Sequence, residues 1–418
     1  MIIIRYIWYY TLRQIVRLTL YFYFRKIKVT GLEHIPKNVP IIFGANHENT
    51  FMDGLLIATQ SSRFIHYLVR ADVFKKTIAR AALKSLNMLP VYRIRDGFGS
   101  LKSNDQSFSE CYKALGKGYS LLLFPEGNHD IRRVRRTITK GISRIALGTM
   151  NSKTAPKELY VVPVGLNYSD HTAFRSSVHI NFGTPIKVEQ AEQNAKNLDQ
   201  LRSNINDEIV RRCVSLNEEH YDLLDTLLFR SENGFTLNDP QDINTRAEKL
   251  VEKYKKSDSD GLDNAVREFD EVLDELNANN RCEVESTKTE IKLVEIIFSV
   301  PLYLIALVNS FIPALIIQLV IALKVKEEIF TTAIRYVLGL VLCPLIWYLQ
   351  FLYFSSFGFS IWINYLYLIS LPLQMLFMVY FHKNVRLYLA KRKFDKSPEL
   401  QEKWRGSLEY IRRFKKEC

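Results

Sequence analysis

The chain has 418 residues, 47% of them hydrophobic, and a formal net charge of +13. That length holds a catalytic domain of ordinary size with a second unit beside it, and the apolar residues pile up between Ile291 and Phe381, which is a membrane signature. Five scattered cysteines with no C-x-x-C pair and no histidine at zinc-finger spacing exclude a disulfide framework or a structural metal site, and the basic residues crowd the N-terminal segment, the "RRVRR" run and the flanks of the apolar stretches, favouring an anionic membrane surface over nucleic acid.

The first segment carries Arg5, Arg13, Arg17, Arg25, Lys26 and Lys28 with no acidic residue, interleaved with Tyr6, Trp8, Tyr9, Tyr10, Tyr21 and Phe22. It has neither the unbroken apolar core nor the small-residue cleavage site of a signal peptide. Residues 1–30 are expected to form an interfacial amphipathic helix, with a buried core helix as the alternative. Over residues 31–188 short apolar runs alternate with helix-like segments: "PIIFGA", "FIHYLV", "MLPVY", "YSLLLFPEG", "LYVVPVGLNY" and "VHINFGTPI". That alternation predicts an α/β domain. Residues 189–290 turn charged and helix-favouring, and are expected to be a helical appendage with linkers.

Residues 291–382 read as a membrane domain. Its first block, Leu293 to Leu323, is punctuated by Asn309, Ser310 and Pro313, and each part falls short of the ~20 residues that a helical crossing needs. Two short segments folding back at Asn309 to Pro313 are expected there, with a single kinked span as the alternative. The blocks "IRYVLGLVLCPLIWYLQFLYF" and "SIWINYLYLISLPLQMLFMVYF" are long enough to span. "KVKEE" and "HKNVRLYLAKRK" are basic, so the positive-inside tendency puts both on the cytoplasmic side, joined by a two-span hairpin. On this scheme 383–418 is a basic cytoplasmic tail and the α/β domain faces the cytoplasm.

Four strings in the α/β domain carry chemistry. "GANHENTFMDG" places His47 and Asp53 after an apolar strand. A carboxylate holding one imidazole nitrogen frees the other to take a proton from a hydroxyl, as in a catalytic triad. No serine or cysteine stands beside the pair, so the attacking hydroxyl would belong to a substrate. Taken alone, the two residues could equally cap a turn and a helix. If they meet, His47 lies in the strand-to-helix link, with Asn49 or Thr50 as N-cap and Asp53 in the first turn; Glu48 or Asn49 is the rival partner for the histidine. In "LPVYRIRDG", strand alternation sets Arg93 and Arg95 on one face, and guanidinium forks bind phosphate. "LLLFPEGNHD" runs a strand into Phe124, Pro125, Glu126 and Gly127, at the sheet edge where α/β ligands bind. "VVPVGLNY" reads on its own as a buried strand.

Together these strings resemble the glycerolipid acyltransferase superfamily, the 1-acylglycerol-3-phosphate and glycerol-3-phosphate acyltransferases. The resemblance implies an acyltransferase-type mixed sheet flanked by helices. It implies transfer of a fatty acyl group from acyl-CoA or acyl carrier protein to a hydroxyl of glycerol 3-phosphate or lysophosphatidate, with no metal and no cofactor beyond the acyl donor. It carries the catalytic pair onto His47 and Asp53 and acceptor binding onto Arg93, with Arg95 beside it, and onto Phe124, Pro125, Glu126 and Gly127. The fourth block, Val162, Pro163, Val164 and Gly165, is assigned to the acyl donor. Two positions depart from the common pattern. Five residues, not four, separate His47 from Asp53, as in a branch that includes glycerol-3-phosphate and dihydroxyacetone-phosphate acyltransferases, and Asn128 replaces the usual Thr or Ser after "FPEG". The longer spacing also supports a rival reading, an inactive lipid-binding or membrane-remodelling protein on the same fold.

Overall fold

The computed structural model describes residues 2–75, 77–91, 100–134, 136–235, 237–257, 259–285 and 289–416. The chain divides into two compact units, Met1–Leu216 with Leu237–Asn244, and Asn217–Thr236 with Thr245–Cys418.

Helix α1 (Ile2–Tyr23) opens the first unit. It turns Tyr9, Val16, Leu20 and Tyr23 into the core, while Ile4, Ile7, Trp8, Ile15 and Leu18 stay exposed on another face. The helix is therefore shorter than residues 1–30: Lys26–Thr30 is strand β1, paired in parallel with β7 (Ser177–Phe182). Its two lysines sit on an edge strand, a position that tolerates charge.

After β1 come β2 (Ile41–Ala45), α2 (Thr50–Gln60), β3 (Ile65–Arg70), α3 (Thr77–Ser85), β4 (Met88–Val91), α4 (Ser100–Gly116), β5 (Ser120–Leu123), α5 (Gly141–Met150), β6 (Tyr160–Tyr168), β7, β8 (Ile186–Lys187) and α6 (Ala195–Arg212). All six expected strand regions are present. They build an eight-stranded mixed sheet in the order β1-β7-β6-β2-β5-β3-β4, with β8 also on β6. The central strands β6, β2, β5 and β3 are parallel neighbours, whereas β7 runs antiparallel to β6. Parallel strands covered on both faces need apolar residues at every position, and β2 and β5 are buried throughout. Ile42, Leu121, Leu123 and Val161 of these strands pack with Ile142 and Ile145 of α5 and Ile205 and Ile209 of α6 in one core. Helix α6 thus completes the first unit and is not part of a separate appendage beginning at 189. Because Gly44 aligns with Leu123 and Ala45 with Val164, β2, β5 and β6 release their carboxyl ends on one edge of the sheet.

In the second unit α7 (Tyr221–Asp225), the part of α8 (Pro240–Tyr254) from Thr245 onward, α9 (Ser259–Glu275) and α10 (Arg281–Glu285) precede α11 (Thr289–Lys324), α12 (Thr331–Ser355), α13 (Ile361–Lys396) and α14 (Pro398–Lys416). Residues 383–416 are not a free tail. Helix α13 continues to Lys396, and α14 buries Leu400, Trp404, Leu408 and Ile411.

Among the described residues three helices, Leu293–Lys324, Glu328–Ser355 and Ile361–Lys396, are long and apolar enough to cross a membrane. The expected fold-back at Asn309 to Pro313 does not occur, and α11 is continuous with Pro301 and Pro313 inside it. Pro313 has no N–H for the Asn309 carbonyl. Gln350 of α12 donates to that carbonyl instead, at 2.7 Å. The Asn309 side chain is engaged as well, donating to Gln374 and accepting from Tyr367, each at 2.8 Å. Neighbouring helices thereby satisfy the polar groups that read as a break in the sequence.

Candidate active site

The link between β2 and α2, Asn46 to Asn49, carries most of the site. In a helix, ~100° per residue would put a histidine and a carboxylate six positions apart on different faces. His47 lies in the link and escapes that limit, and its Nδ1 stands 2.8 Å from Asp53 Oδ2. Because a carboxylate accepts, the proton sits on Nδ1 and the lone pair on Nε2.

Asp53, in the first turn of α2, has no exposed side-chain surface, while 17% of the His47 side chain is exposed. Asp53 Oδ2 also accepts the backbone N–H groups of Glu48 at 3.0 Å and Asn49 at 2.8 Å, the reach-back of a capping carboxylate. Its other oxygen accepts from the hydroxyl of Tyr168, the last residue of β6, at 2.5 Å. Burial first, and then the charge of Asp53, holds the Tyr168 hydroxyl well above the ordinary phenol range, so it stays a donor. Between His47 and Asp53 the chain turns at Thr50, whose φ of 46° is left-handed. That conformation costs a β-branched residue about 1–2 kcal/mol.

The rival partners of His47 are engaged elsewhere. Glu48 bonds His171 Nε2 at 2.8 Å and accepts from Asn46 at 2.9 Å, and the Asn49 side chain donates to the His171 carbonyl. Burial pushes the Glu48 carboxyl up to about 8. Asn46 also exchanges hydrogen bonds with Leu166, donating to its carbonyl at 2.9 Å and accepting its N–H at 2.7 Å, which ties the end of β2 to β6.

The "FPEG" turn supports the histidine from the other side. Phe124 stacks on the His47 ring with centroids 4.0 Å apart and planes 8° apart. Glu126, with 6% of its side chain exposed, accepts the His47 backbone N–H at 2.9 Å and pairs with Arg136 at 2.5 Å. Burial raises the Glu126 carboxyl while the guanidinium pulls it back. Arg136 further donates to the carbonyls of His47 and Asn128. Gly127 has φ 77° and donates its N–H to Phe124 O, closing the turn. Ring and backbone of His47 are thus both fixed, with Nε2 directed away from Asp53.

Residues 26–167 match the family model described as Acyltransferase. They form an acyltransferase-family domain. Within the glycerolipid acyltransferase superfamily, the chain is similar to the 1-acyl-sn-glycerol-3-phosphate acyltransferase of Borreliella burgdorferi, 24% identical over 49% of this chain and 78% of that protein. It is also similar to an uncharacterized acyltransferase of Schizosaccharomyces pombe, 22% identical, over 40% of this chain and only 37% of that protein's length. The crystal structure of the 1-acyl-sn-glycerophosphate acyltransferase from Thermotoga maritima matches 48% of this chain and 77% of its own at 19% identity and a TM-score of 0.37.

Within this acyltransferase domain the structure brings His47, Asp53, Phe124 and Glu126 together. Arg93 and Arg95 lie outside the described residues. Val162, Pro163, Val164 and Gly165 are buried in β6, with Val164 in register with Ala45 at the carboxyl end of β2. A Cβ on Gly165 would stand 2.0 Å from Arg212 O. The strand that this block helps to build pairs with β2 and ends in Tyr168. Sequence reading missed Tyr168, Asn46 and Arg136. Only Asn46, adjacent to the histidine, carried a local signal.

Proposed function

We propose that this protein is a membrane-bound O-acyltransferase, moving a fatty acyl group from acyl-CoA or acyl carrier protein to a hydroxyl of glycerol 3-phosphate or lysophosphatidate. The observation that carries the reading is the 2.8 Å bond from His47 Nδ1 to buried Asp53 inside an acyltransferase-family domain. His47 Nε2 takes the acceptor's hydroxyl proton as the oxygen attacks the thioester carbonyl. The tetrahedral adduct collapses to the ester and a thiolate, and the imidazolium returns its proton to the thiolate. Asp53 holds the tautomer and offsets the imidazolium charge, and general-base help of this kind is worth ~10² to 10⁴ in rate.

Glu126 and Arg136 hold the loop that carries His47, and Arg93, with Arg95, grips the acceptor phosphate. The inactive lipid-binding reading rested on the longer His-to-Asp spacing. The pair meets despite the extra residue, which removes that support. Purified protein in liposomes, given radiolabelled acyl-CoA with glycerol 3-phosphate, lysophosphatidate and dihydroxyacetone phosphate in parallel, tests the reading. Ester formation on glycerol 3-phosphate or lysophosphatidate is expected; ester on dihydroxyacetone phosphate alone, or none when either acyl-CoA or acyl carrier protein is the donor, would overturn it.

A further inference from the structure

Packing within the second unit limits how often the chain crosses a bilayer. Helix α9 precedes the apolar helices and α14 follows them, yet the two pack together, with Phe269 stacked on Trp404 at 4.7 Å. Leu262, Val266 and Leu273 of α9 and Leu408 and Ile411 of α14 are buried as well. Lys253 of α8 also sits over the Phe414 ring. A membrane cannot pass between helices in contact. The segment between Glu275 and Pro398 therefore crosses an even number of times, although it contains three apolar helices of crossing length.

Contacts between α11 and α13 identify the exception. Glu295 accepts from Asn384 at 3.2 Å, Tyr303 stacks on Phe381 at 4.1 Å, and Asn309 bonds Gln374 and Tyr367. Numbers rise along α11 as they fall along α13, so the two helices are antiparallel. Lys324 and Ile361 accordingly lie at the same end; the short link 325–330 starts α12 there, and Phe354 stacked on Tyr367 at 4.2 Å brings its other end back against the first turns of α13. Length does not decide the matter, because 25 residues at ~1.5 Å each could cross a ~30 Å core.

We infer that α11 and α13 are the two crossings and that α12 is a re-entrant helix in the leaflet farther from α9 and α14, its exposed stripe of Val337, Val341, Leu345, Leu349 and Tyr353 facing lipid acyl chains. The bond from Gln350 to the Asn309 carbonyl sets the depth, since Asn309 lies midway along the apolar stretch of α11. This arrangement puts "KVKEE" opposite "HKNVRLYLAKRK". The two lysines of the first carry little positive-inside weight beside the basic run of the second.

The test is accessibility in sealed vesicles, using full-length protein with its native cysteines replaced by alanine and single cysteines at Asn279, Lys326, Ser356 or Glu402, treated with a membrane-impermeant maleimide before and after detergent. Asn279 and Glu402 are expected to label from one side and Lys326 from the other. Ser356 is expected to label from the Lys326 side, or only after detergent. Opposite sides for Asn279 and Glu402, Ser356 on the Asn279 side, or all four on one side would overturn the inference. If the cysteine-free background does not accumulate, protease sites inserted at the same four positions in the native sequence give the same readout.

Discussion

The hydroxyl of Tyr168 donates to Asp53 Oδ1 across 115 positions of sequence, on the carboxylate oxygen that His47 does not use. Strand and loop therefore hold the same carboxylate from two directions. Tyr168→Phe removes one hydrogen bond to a charged group, worth about 1.5–3 kcal/mol, and keeps the ring. A fall in kcat of roughly tenfold to a hundredfold is expected with KM little changed. A rise in KM at constant kcat would mean that Tyr168 serves binding and not the orientation of Asp53.

Asp53→Asn and Glu48→Gln separate the two acidic neighbours of His47. Asparagine at 53 can present an N–H to the imidazole and favour the wrong tautomer, so kcat should fall by roughly 10³ to 10⁴ with acceptor KM nearly constant. Glu48 bonds His171 and Asn46 instead, and Glu48→Gln should retain kcat within a few-fold. Steady-state kinetics of both variants decides, and the reverse pattern would assign Glu48 as the orienting group.

Glu48 also makes stability depend on pH. Burial lifts its carboxyl from 4.5 to about 8, so between those values the folded protein holds a proton that the unfolded chain has released. Stability from this group is complete below the lower value and is lost as pH rises toward the upper one. Glutamine mimics the protonated side chain at every pH. The Tm of Glu48→Gln relative to the native protein should therefore increase from pH 5 to pH 8, and a constant difference would show that Glu48 is ionised throughout.

Arg93→Ala tests the acceptor clamp, which rests on sequence. Losing a charge-assisted bidentate contact should raise the acceptor KM roughly tenfold or more and leave the acyl-donor KM alone. Unchanged KM for both substrates would place the phosphate elsewhere.

How far the sequence could be read followed from whether its signals were local. Strands β2, β5 and β6 were legible because parallel strands buried on both faces read as continuous apolar runs. Strand β1, "KIKVT", was not, because its lysines merged with the basic helix before it. Placing His47 in a link and Asp53 in a first turn needed only helix geometry, and both residues stand there. Tyr168 read as the last residue of a buried strand, and Arg136 was one of several arginines in "RRVRR"; only folding brings them to Asp53 and Glu126. Asn309 and Pro313 read as a break because their partners, Gln350, Tyr367 and Gln374, come from other helices. Helix α14 did carry its signal, Leu400, Trp404, Leu408 and Ile411 at helical spacing, obscured by the basic residues around it.

His47→Ala, assayed in liposomes with the acyl donor and the acceptor that the native protein uses, bears most directly on the chemistry. Alanine leaves Asp53 its bonds from Tyr168, Glu48 and Asn49, so a folded protein with nearly native Tm is expected. Its turnover should fall to background while acceptor binding persists. Turnover close to native in a folded His47→Ala protein would contradict general-base catalysis by His47.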